Sequence, residues 1–78
     1  MPGDWSRLEV EATVADYVSM LEWEIRGEPY SKAEHRRALQ PVLDDRSEGA
    51  IEYKYQNTSA VLIDLGYPYI DGYKPAFN

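Results

Sequence analysis

The residues that could do chemistry in this sequence are few and poorly grouped. His35 is the single histidine and there is no cysteine, so neither a zinc site nor a thiolate nucleophile can be assembled. With Glu34 and Arg36 beside it and no second histidine at helical spacing, His35 reads as a surface or packing residue. Asp44-Asp45 stand together without the companion motif of a magnesium site. The fourteen acids could in principle supply a general acid and base. Most of them lie on a helix surface, where solvation and the helix macrodipole account for them. No glycine-rich phosphate loop occurs. The expectation is a chain with no active site, no metal and no cofactor of its own, which acts by binding.

The formal charge of −6 opposes indiscriminate attachment to nucleic acid or to an anionic membrane. Its distribution is uneven. Residues 1–30 carry two cations against seven acids, whereas residues 31–60 carry five against five, the cations being Lys32, Arg36, Arg37, Arg46 and Lys54. No apolar run approaches the roughly 20 residues of a membrane span. Met1-Pro2-Gly3-Asp4 lacks the basic and apolar regions of a signal peptide. A cytoplasmic setting is expected, and the lack of cysteine suits it.

The elements that would position these residues are helices. At 78 residues the chain makes one domain, and a chain of that size buries only about 60 % of its unfolded surface. Aromatic bulk, including seven tyrosines, must thicken the core. Residues 5–26 read as a first helix, with Asp4 as N-cap and Gly27 and Pro29 as its stop. Val10, Val14, Tyr17, Val18, Leu21 and Ile25 form one apolar stripe. Trp5, Leu8, Ala12, Ala15 and Trp23 form a weaker one on roughly the opposite side. This second stripe packs either on the C-terminal tail or on a second copy, and the homodimer is the expectation carried forward. Ser31, with Glu34 at capping-box spacing, opens a second helix that Pro41 ends. After the polar turn Asp44-Asp45-Arg46, Ser47 caps a third helix running to about Leu65, with Gly66 at C′. Ile51, Tyr55, Thr58, Leu62 and Leu65 make its apolar face. The Pro- and Gly-rich aromatic tail folds back over the core. The predicted class is all-α, with three helices, a helix-turn-helix-like unit and an ordered aromatic tail.

In such a unit the N-terminal part of the second helix of the pair faces the major groove. Gln56 and Asn57 are the residue types that address adenine edges. Lys32, Arg36, Arg37, Arg46 and Lys54 would meet phosphates, and Ser47 and Tyr53 would add hydroxyl contacts. Spacing and charge alone leave an ordinary solvated surface as the competing reading.

Three blocks add a resemblance. They are Pro29-Tyr30-Ser31-Lys32-Ala33-Glu34-His35-Arg36-Arg37-Ala38-Leu39, then Asn57-Thr58-Ser59-Ala60-Val61-Leu62-Ile63-Asp64-Leu65-Gly66, then Pro68-Tyr69-Ile70-Asp71-Gly72-Tyr73-Lys74-Pro75. With Arg46-Ser47-Glu48-Gly49-Ala50-Ile51-Glu52-Tyr53-Lys54 between them, they resemble the N-terminal domain of bacterial modification-dependent (type IV, McrA-like) HNH restriction endonucleases. The resemblance covers most of the chain. It implies a non-catalytic module associated with double-stranded DNA, with the nuclease chemistry in downstream domains of a longer, multidomain protein. The sequence departs from the family pattern at Tyr55, where relatives carry histidine, and at Ala76, often arginine there, which implies weaker DNA contact. The alternative expectation is an oligomerisation or domain-docking module that does not touch DNA.

Overall fold

The computed structural model describes residues 4–77, so the targeting expectation drawn from Met1, Pro2 and Gly3 lies outside the described residues. Three helices account for the fold, and no strand occurs among the described residues: α1 (Arg7–Ile25), α2 (Lys32–Leu39) and α3 (Glu48–Asp64). The molecule is all-α. None of its helices is long and apolar enough to cross a membrane.

Local chemistry explains each boundary. α1 is capped by Ser6 rather than by Asp4. The Ser6 hydroxyl accepts from the Glu9 N–H, while a Glu9 carboxylate oxygen accepts from the Ser6 N–H. This reciprocal box satisfies two orphan donors at once, which Asp4 has no matching residue to do. Ser31 and Ser47 cap α2 and α3 through the N–H groups of Glu34 and Ala50. Pro41 stops α2 at Leu39, and the chain tightens into a 3-10 turn over Gln40–Val42. At the far end of α3, Gly66 takes φ +78°, and the N–H groups of Gly66 and Tyr67 return to the carbonyls of Ile63 and Leu62. Such a reversal needs a left-handed residue, which glycine provides without a Cβ clash.

The core is tyrosine-rich. Tyr17 and Met20 from α1, Leu39 and Leu43 from the α2 region, Ile51 and Tyr55 from α3, and Ile70 and Tyr73 from the C-terminal segment form one buried cluster. The rings of Tyr55 and Tyr73 lie 4.9 Å apart, with Tyr17 at 6.2 and 6.4 Å. The Tyr17 hydroxyl shares a hydrogen bond with Ser59 Oγ and accepts the Ile70 N–H. One side chain thereby ties α1, α3 and the C-terminal segment together.

α1 is oriented differently from the expected apolar stripe. Its fully buried residues are Glu9, Thr13, Tyr17 and Met20. Val14, Val18 and Ile25 are 38, 43 and 64 % exposed, and only Tyr17 of the expected stripe is fully buried. The helix therefore turns a partly polar face inward and an aliphatic one outward. Buried polar groups demand partners, and here each has one.

Candidate interaction surface

The inward polar face of α1 is held by three carboxylates. Glu9 takes Arg46 in a two-point ion pair, Nε to Oε2 and a terminal nitrogen to Oε1, both 2.8 Å, and also accepts the Asp44 N–H. The Arg46 guanidinium, helped by the N–H groups of Ser6 and Asp44, holds the Glu9 carboxyl far below the usual carboxylate range. Asp16 joins the helices: its Oδ2 accepts from the Tyr55 hydroxyl at 2.5 Å and its Oδ1 lies 2.7 Å from His35 Nδ1. A carboxylate only accepts, so this pairing places the imidazole proton on Nδ1. Burial, and then Asp16, push the Tyr55 hydroxyl far above its ordinary value. Glu24 accepts from the Tyr30 hydroxyl and from the Asp71 N–H, fixing both flanking segments to the end of α1. These groups serve the fold. Among the described residues no set of three metal-ligating side chains is gathered, and His35 takes no hydrogen bond from a hydroxyl nucleophile.

Nine residues were expected to contact DNA, and the structure scatters them. Arg46 is corrected: its side chain is 5 % exposed and is committed to Glu9 beneath the Trp5 ring. Asn57 donates to the Ala76 carbonyl, so its amide binds the C-terminal segment rather than a base edge. Arg36 is mostly buried, 3.3 Å from Glu48. Lys32 lies over the rings of Tyr30 and Tyr73, and Lys54 over Trp5. Ser47 is occupied as the α3 cap. Gln56 is half-buried, with its carbonyl accepting the Ala76 N–H. Arg37 and Tyr53 are exposed. Acidic Glu48 and Glu52 share the exposed front of α3.

The five expected dimer residues also divide. Trp5 and Ala12 pack against the core of their own chain, whereas Leu8, Ala15 and Trp23 are exposed. Leu8 borders a cleft of about 900 Å³ between the start of α1 and the α2–α3 turn, whose polar wall is the Glu9–Arg46 pair. Those polar atoms face one another and have little left to offer a ligand.

The other side of α1 presents a different surface. Val10 and Val14 face Thr58, Val61 and Leu62 of α3 across an almost wholly apolar groove of about 240 Å³. Val18 and Ile25 extend it along α1, and Val61 is 56 % exposed on the opposite wall. The Val/Ile stripe was visible in the sequence. Its outward direction was not, because that depends on Glu9, Asp16 and Glu24 finding partners far along the chain. Compared with protein-family models, curated proteins and solved structures, the chain matches none.

Proposed function

We propose that this chain is a non-catalytic docking module that recognises a protein partner through the apolar groove between α1 and α3. Chemistry is left to other parts of a cytoplasmic, multidomain parent. The observation behind this reading is the orientation of α1: its carboxylates are satisfied inside while Val14, Val18 and Ile25 stand in solvent. A contiguous apolar surface rimmed by polar residues is the usual mark of a docking site. A displayed library of amphipathic helices tests it. Helices should be retained by the full chain and lost with Val18→Asp, an exposed position where the variant keeps its helical circular dichroism. Retention that ignores this substitution overturns the assignment.

DNA association is the second reading, supported by the resemblance over residues 29–75 and by Arg37 and Tyr53 standing open to solvent. In it, basic residues contact phosphates and the N-terminal half of α3 addresses base edges. Six phosphate contacts would give a log–log salt slope of about −5; with most of the cations engaged internally, the slope should be shallower. Anisotropy of labelled duplex at two salt concentrations separates the readings. Salt-sensitive binding abolished by Arg37→Ala and untouched by Val18→Asp favours DNA over docking.

A further inference from the structure

We infer that the occupant of the α1–α3 groove is an amphipathic helix of another polypeptide that carries lysine or arginine along its flanks. This rests on the docking reading above and names the partner's chemistry. The groove and its continuation run along α1 from Val10 to Ile25, about 22 Å at ~1.5 Å per residue, which matches roughly four turns of a helix. Its aliphatic lining suits anchors at i, i+3 or i+4, and i+7, the pattern by which a helix lies in a groove.

The margins decide the charge of the occupant. Glu22 lies four residues after Val18 and three before Ile25, so it borders the same strip of α1. Glu11 borders it one turn before Val14. Across the groove, Asp64 is one turn beyond Val61 and exposed. Glu22 and Asp64 have no ion-pair partner among the described residues, and Arg7 engages Glu11 only at the surface, with 91 % of its side chain exposed. The cation lining the groove, Lys54, lies 5.0 Å over the Trp5 ring. A second copy of this chain would bring a formal charge of −6 against another −6. A helix with basic flanks brings the opposite sign to the rim, where complementary charge favours encounter and register.

The test is a helix library with a fixed aliphatic stripe and flank positions varied among Lys, Glu, Gln and Ser, selected on the full chain and followed by anisotropy of single helices. Lysine should be enriched at the flanks. Exchanging those lysines for glutamates should weaken binding by about tenfold, as two or three rim pairs would. The paired surface substitutions Glu22→Lys and Asp64→Lys should reverse the preference. Helices that bind through Val18 with no flank bias, or with a glutamate bias, overturn the basic partner and leave the docking reading standing. Self-association on light scattering that Val18→Asp abolishes gives the groove to a second copy, which also overturns it. If no helix binds and the chain stays monomeric, both readings fall.

Discussion

Glu9 shows how one side chain sets the orientation of a helix. It closes the α1 capping box, receives the Asp44 N–H and pairs with Arg46. Because its folded carboxyl holds a proton far more weakly than the ordinary value of 4.5, its contribution to stability is complete above that value. It is lost as pH falls through the folded value. Denaturant midpoints measured against pH should therefore fall below about pH 4.5 in the parent chain, and Glu9→Gln should flatten that decline while lowering stability at neutral pH. Tyr17 is the second keystone. Tyr17→Phe leaves the buried Ile70 N–H and Ser59 hydroxyl without their partner, at a cost of about 1–3 kcal/mol. Calorimetry should register it as a drop of roughly 4–8 °C per kcal/mol for a domain of this size. Neither role can be assigned from residue type: Glu9 resembles the other acids of α1 until Arg46 is placed beside it.

Helix ends were the most legible elements because capping is local. Ser31, Pro41, Ser47 and Gly66 act where the sequence puts them, and the Asp4 expectation was displaced by two residues to Ser6. Ser6→Ala should lower stability by about 1 kcal/mol, seen in the denaturant midpoint, with faster amide exchange at Glu9. Helix faces were less legible. α3 buries Ile51 and Tyr55 as expected, yet leaves Leu65 62 % exposed, while Ala60 on the opposite side is buried near the C-terminal segment. In α1 the periodicity is real and its direction reversed. An apolar stripe reports that a surface wants covering, not whether the core or another molecule covers it.

At the scale of the whole molecule, stability depends on keeping tyrosines neutral in the interior. Burial is the main cause that raises Tyr30, Tyr55 and Tyr73 above the ordinary value of 10.0, with Tyr73 pushed up to about 12. Their contribution is whole below about pH 10 and is lost as pH rises through the folded values. Alkaline titration should show these three ionising together with the loss of helical circular dichroism, so tyrosinate absorbance and unfolding should coincide above about pH 10. Early ionisation without unfolding would contradict the tyrosine core. The sequence by itself determined the all-α class, the helix ends and the supply of aliphatic, aromatic and acidic residues, because capping, proline and periodicity act over a few neighbours. Only the tertiary structure decided which face of α1 is inside and which cations are already engaged. Glu9–Arg46, Asp16–Tyr55 and Glu24–Asp71 join residues 37, 39 and 47 positions apart, and local pattern holds no record of pairings at that distance.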